Sequence, residues 1–146
     1  FAIDKPKIAV LSLNPHVGDN GLIGAEDLNI IGPVISDFFE CGNLVYGPYS
    51  ADSFFGTGNY KNFDAVLGMY HDQALIPFKL MSFGRGVNYT AGLPIIRVSP
   101  DHGVGYDIVT RNIAHTSSVL ASIFLGIKLY YNRKRYFTTT RKNHST

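Results

Sequence analysis

The stretch "LGMYHDQALIPFK", residues 67–79, closes an apolar run on Tyr-His-Asp-Gln and then turns apolar again. Upstream it continues "FDAVLGMY" (63–70), short and apolar enough for a buried strand. Downstream, "ALIPFKLMSF" predicts a short helix interrupted by Pro77. Four proton-handling or ligand-capable groups therefore stand where a strand gives way to a helix. In an open parallel sheet, chemistry gathers in such loops, beyond the carboxyl ends of the strands.

Outward from this junction the same rhythm repeats. Residues 7–13, "KIAVLSL", read as a buried strand, followed by the Gly-, Pro- and Asn-rich loop "NPHVGDNGLIG". Residues 26–40 place Leu28, Ile31, Ile35, Phe38 and Phe39 at helical spacing, with two acids at the positive helix end. Pro33 should kink that helix or delay its start, and Cys41-Gly42 closes it. "NLVYGP" reads as a second strand and 63–70 as a third. Strand, helix, strand, short helix, strand predicts an α/β fold with a parallel sheet and crossover helices. His16 and His71 each follow a strand, so both loops should open on one edge of the sheet. Further on, "GVNYTAGLPIIRVS" (86–99) carries two β-typed runs split by Gly92-Leu93-Pro94. Residues 114–131 predict the strongest helix, with Val119, Ile123, Ile127 and Tyr130 along its apolar stripe.

At 146 residues and 45% apolar, the chain is sized for one domain with a real core. No apolar run reaches the eighteen residues or so of a membrane span. The single Cys41 excludes a disulfide framework and, with no recognisable leader, suits a reducing cytoplasmic compartment. Phe1 in place of Met raises the expectation of a segment upstream. The net charge of +2 is uneven: residues 133–146, "RKRYFTTTRKNHST", hold five cations and no acid, leaving −3 on residues 1–132. The expectation is an α/β body over 1–132 and a frayed basic tail over 133–146, without nucleic-acid or membrane binding.

His16 and His71 are candidate metal ligands, although a histidine after a strand is more often a satisfied loop residue. Two at equivalent strand ends strengthen the metal reading, and at least one further ligand must come from elsewhere. Arg97 sits inside the apolar run "LPIIRVS", where a guanidinium is costly to desolvate unless it meets an anion. Phosphate or carboxylate recognition follows, with Lys79 as a point-charge partner and Asn88 beside them. Asp52 and Asp72 could orient a histidine or move a proton; by default they are turn or cap residues. The loop "SPDHGVGYDI" (99–108) lacks the Gly-x-Gly-x-x-Gly fingerprint, so on its own it is a weak nucleotide signal.

Together, "LNPHVGDNGLIGAED", "YHDQALIPFK", "GRGVNYTAGLPIIRVSPDHG" and "YDI" resemble the carboxyl-terminal part of 4-hydroxythreonine-4-phosphate dehydrogenase, in order, from about Lys7 to Tyr131. The resemblance implies a three-layer α/β/α fold with a mostly parallel sheet, like that of isocitrate and isopropylmalate dehydrogenases. It implies NAD- or NADP-dependent oxidation of the C3 hydroxyl of 4-phosphooxy-L-threonine, then decarboxylation to 3-amino-2-oxopropyl phosphate, in pyridoxal phosphate biosynthesis. It further implies one divalent ion (Zn, Mg, Co or Mn) held by three histidines. Two match His16 and His71, acting from different subunits of a homodimer, and the third lies in an earlier segment absent here. Lys79, Asn88 and Arg97 match substrate contacts, and Asp52 and Asp72 match acids that assist proton transfer or orient the substrate. By resemblance to the wider decarboxylating dehydrogenases, His102 and Asp107 lie near the cofactor's adenosine half, so His102 is not a metal ligand.

The chain departs from the family pattern at three places. Ala74 replaces the usual Gly after "YHDQ", "DHGVGYDIVTRN" replaces the usual "DHGTAFDIAGKG", and Asp19 replaces a Glu. The chain alone is expected to be inactive. Two alternatives stand beside the main reading: a dehydrogenase for another phosphorylated four-carbon hydroxy acid, and a non-catalytic remnant.

Overall fold

The computed structural model describes residues 1–103, 105, 106, 108, 109, 111, 113 and 115–143. They form two compact units: Ile3–Phe78, and Phe1–Ala2 with the residues from Lys79 onward.

In the unit Ile3–Phe78, strands β1 (Ile8–Leu11), β2 (Val45–Tyr49) and β3 (Ala65–Leu67) form a parallel sheet in the order β2-β1-β3. β1 is the central strand, and its Ala9, Val10 and Leu11 are buried, as a continuous apolar run requires. Gly47 has φ +139°, and a Cβ there would overlap the Val10 carbonyl oxygen, so only glycine lets β2 lie this close to β1. Between β1 and β2, a five-residue π-helical stretch (Asp27–Ile31) leads into helix α1, Gly32–Glu40. Pro33 delays the regular helix, as its sequence position predicts. It falls in the first turn of α1, directly after the Gly32 N–H bonds back five residues to the Asp27 carbonyl, where the π-helical stretch gives way to regular helix. Helix α2 (Ala51–Gly56) connects β2 towards β3, and Phe54 seals the core against Ala9 and Leu11. Tyr49, Phe54 and Phe63 pack ring on ring, with centroids 5.2 to 5.7 Å apart.

Helix α3 (His71–Ser82) begins in this unit and runs through Pro77 without the expected interruption. None of its residues is buried.

The second unit is built on a hairpin. Strands β4 (Val87–Thr90) and β5 (Arg97–Pro100) pair antiparallel as a separate two-stranded sheet, so the parallel pattern stops at β3. The connection over 91–96 is far too short for the crossover that a parallel pair needs. Against β5 packs helix α4, Ser117–Asn143. The expected start at Ala114 lies outside the described residues, and the helix continues as far as Asn143, within the basic segment 133–146.

The covered face of α4 is not the apolar stripe that periodicity picks out. Val119, Ile123, Ile127 and Tyr130 are exposed, whereas Ser118, Ser122 and Leu129 are buried. Gly126 continues that small-residue face, and a Cβ there would stand 3.2 Å from Val98 Cγ2. Small side chains at four-residue spacing let the helix approach the hairpin, and the larger apolar residues point outward. No described helix is long and apolar enough to cross a membrane.

Candidate active site

β1, β2 and β3 run parallel, so their carboxyl ends lie on one edge of the sheet, as expected for the His16 and His71 loops. A cavity of about 480 Å³ opens at that edge. Each strand supplies part of its wall: Ser12–His16 after β1, Ser50–Asp52 after β2, and Tyr70 with Gln73 after β3. Such a volume suits a small-molecule site.

The loop after β1 has an unusual backbone. His16, Val17, Gly18, Asp19 and Asn20 all have positive φ, making one left-handed turn within Pro15–Gly21. Left-handed geometry costs about 1–2 kcal/mol for each residue other than glycine. Gly18 is needed for a second reason, since a Cβ there would overlap the Gly24 carbonyl oxygen. Offsetting bonds hold the turn. The Asp27 side chain, 1% exposed, accepts from the backbone N–H of Leu13 at 2.7 Å and of Asn14 at 2.8 Å. Hydrogen bonds to charged groups are worth about 1.5–3 kcal/mol each, the same scale as the strain. Asn14 Nδ2 donates to Glu26 Oε2 at 2.8 Å. The Glu26 carboxyl is held below its usual range by a backbone hydrogen bond and then by Asn14, against opposing burial and the neighbouring Asp27 charge.

Asp52 enters from the first turn of α2. The Ser50 hydroxyl donates to its Oδ1 at 2.6 Å. That bond, then the Ser53 backbone N–H, holds the carboxyl below the ordinary aspartate range; burial opposes, and the charge of His16 adds a smaller lowering. Asp52 and His16 thus share the cavity and sense each other.

Gln73 ties the third strand end to the first. Its Nε2 donates to the Ser12 carbonyl at 2.7 Å, while its Oε1 accepts from the Tyr70 N–H at 3.5 Å. His71 begins α3 and does not line the cavity. Its Nδ1 lies 2.8 Å from Asp72 Oδ1, and the two side chains are 78% and 80% exposed. Among the described residues no three His, Cys, Asp or Glu side chains gather as a metal site. His16 and His71 are both suitable donors for a divalent ion, one lining the cavity and the other exposed.

The second unit holds the expected substrate residues. In the β4–β5 register Asn88 faces Ser99 and Thr90 faces Arg97, so all four share one hairpin face. The other face, with Tyr89 and Val98, lies towards α4. Arg97 corrects the sequence argument for a buried cation: it is exposed at the start of β5, and its Nη1 donates to Thr90 Oγ1 at 2.8 Å. Alternation along the strand, not its apolar neighbours, sets its surroundings. Lys79 pairs with Asp101 at 3.5 Å. His102 is exposed, its Nδ1 3.0 Å from the Gly103 carbonyl oxygen, and Asp107 lies outside the described residues. Ala74 sits within α3 against Gly68, where its methyl group extends into a helix contact.

Three residues that shape the site went unassigned in the sequence: Asp27, Ser50 and Gln73. Asp27 carried a weak signal, an acid just before a helix, and that signal points to the helix dipole.

A small parallel sheet whose three strand ends wall one cavity defines an α/β protein with a cavity at the carboxyl edge of its sheet, where such folds commonly bind ligands. The chain belongs to the PdxA family: residues 1–126 match the family described as pyridoxal phosphate biosynthetic protein PdxA. It is 52% identical over 135 residues to a 4-hydroxythreonine-4-phosphate dehydrogenase of Bacteroides thetaiotaomicron, covering 92% of this chain and 37% of the relative. Among solved structures it resembles a putative 4-hydroxythreonine-4-phosphate dehydrogenase from Salmonella typhimurium, with TM-score 0.68, 44% identity, and coverage of 88% of this chain and 39% of that one. It also resembles a terephthalate 1,2-cis-dihydrodiol dehydrogenase from Burkholderia xenovorans, with TM-score 0.57, 29% identity, and coverage of 85% and 39%. The chain spans 36–41% of the length of the curated relatives it matches.

Proposed function

We propose that this chain is the site-bearing part of a metal-dependent, NAD- or NADP-linked decarboxylating dehydrogenase of pyridoxal phosphate biosynthesis. Its substrate is 4-phosphooxy-L-threonine, its product is 3-amino-2-oxopropyl phosphate, and the intact protein has the three-layer α/β/α architecture. The observation that carries this is the meeting of His16 and Asp52 in one cavity walled by three parallel strand ends.

Within that cavity Asp52, held as a carboxylate, accepts a hydrogen bond from the substrate's C3 hydroxyl and orients it. Asp52 takes the hydroxyl proton as C3 is oxidised to the ketone of a β-keto acid, and returns a proton to the carbon that loses carbon dioxide, giving the amino ketone. The nicotinamide cofactor, when bound, would supply the acceptor for the C3 hydride. His16 and His71 would hold the divalent ion, His71 from a second subunit, and the ion would supply electrostatic stabilisation of oxygen-centred negative charge in both steps. His71's exposure supports its use by a neighbouring subunit. Asp72, 2.8 Å from Nδ1, orients that ring. Asn88 and Arg97, on one hairpin face, bind the substrate's anionic groups, with Lys79 at the hairpin base. His102 and Asp107 belong to the adenosine side of the cofactor.

The likeness to a cis-dihydrodiol dehydrogenase favours a second reading, in which the same architecture oxidises a different hydroxylated substrate. The intact protein, supplied with a divalent ion and NAD or NADP, should reduce the nicotinamide on 4-phosphooxy-L-threonine and release carbon dioxide. Turnover of a different phosphorylated four-carbon hydroxy acid, with none on 4-phosphooxy-L-threonine, would favour the second reading. Absence of saturable cofactor binding would leave the chain as a non-catalytic remnant.

A further inference from the structure

The sequence pattern assigns Asp27 to the dipole of the helix that follows it. In the structure its side chain turns the other way. Oδ1 and Oδ2 accept separately from Leu13 and Asn14, the last two backbone donors before Pro15, which has none. Immediately beyond, the chain enters the left-handed turn that carries His16. On the far side of the turn, the Leu22 and Ile23 N–H groups return to the carbonyls of Asp19 and Gly18, at 3.1 and 3.0 Å. The turn is therefore closed on itself at its exit and tied at its entrance to one buried side chain.

We propose that Asp27 is a positioning residue: through Leu13 and Asn14 it fixes the left-handed turn that presents His16 to the cavity shared with Asp52. The conformational claim stands by itself, and its consequence for ligand binding rests on the reading of His16 as a site residue.

The test compares the intact protein with Asp27→Glu, Asp27→Asn and Asp27→Ala. Backbone HN–Hα couplings report positive φ at His16 to Asn20, and amide exchange is read at Leu13 and Asn14 against Ala9 and Leu11 in β1. Mn²⁺ alone serves as the ligand probe, through paramagnetic broadening of the His16 ring. The glutamate variant keeps both acceptors and should retain the turn. The asparagine variant sets an amide N–H against a backbone N–H; exchange at Leu13 and Asn14 should quicken roughly tenfold, with the positive-φ couplings lost and β1 unchanged. Mn²⁺ broadening at His16 should weaken with it. Persistence of the couplings in both the asparagine and alanine variants would overturn the proposal, as would equal quickening at every amide, which marks a role in global stability alone. If the variants do not fold, the unmodified protein decides: fast exchange at Leu13 and Asn14 refutes the clamp and slow exchange supports it. Absence of Mn²⁺ broadening in the unmodified protein would count against the metal reading and leave the coupling result to judge Asp27.

Discussion

A serine hydroxyl donates to Asp52 Oδ1 at 2.6 Å and lowers the pKa of that cavity-lining carboxyl. Removing it in Ser50→Ala should move the Asp52 pKa upward, towards the ordinary aspartate value, as followed by carbon-13 titration of its carboxyl. The sign follows from linkage: a lowered folded pKa stabilises the fold above the unfolded value and loses that contribution as pH falls through the folded one. An unchanged titration would refute the role given to Ser50. At this scale the sequence was half legible. His16 and Asp52 could be named because their types suit the chemistry and they follow apolar strands. Asp27 and Gln73 could not, because each acts on backbone groups far away in the chain, and nothing in the neighbouring residues signals such a partner. Arg97 was misjudged for a related reason, since sequence neighbours on a strand point to the opposite face.

Alternation of apolar runs and helical spacing was enough to order β1, α1, β2, α2 and β3, and parallel pairing then placed their ends together. It failed for α4. Periodicity shows where large apolar side chains recur, whereas the face that packs is set by what can approach, and here Ser118, Ser122 and Gly126 admit the hairpin. Gly126→Leu should therefore cost about 1–3 kcal/mol in chemical denaturation by overpacking against Val98, while Ile123→Leu, on the exposed side, should cost less than about 0.5 kcal/mol. Equal costs for both would show that the packed face has been misassigned.

Across the molecule the described residues include few large apolar side chains that are buried. The core cluster rests on Ala9, Leu11 and Phe54, while Ile76, Leu80, Phe83, Phe124 and Tyr131 all lie open. The 146 residues by themselves should bind the dye ANS strongly and self-associate with rising concentration, both seen by fluorescence and light scattering. A dye-silent monomer would contradict this exposure. In the intact protein, His16→Ala and His71→Ala should each lower turnover at least a hundredfold. With the two imidazoles supplied by different subunits, as proposed, a subunit-exchanged mixture should recover part of it, since one site of the hybrid would keep both. No recovery, with exchange confirmed, would assign both ligands to one subunit.

At the start of β5 Arg97 donates to Thr90, and four residues further along the chain, just past the end of β5, Asp101 pairs with Lys79 of α3. The two cations therefore differ in their company: Lys79 is already neutralised by a carboxylate, whereas Arg97 leans on a neutral hydroxyl. Added salt should loosen the first contact and leave the second largely as it is.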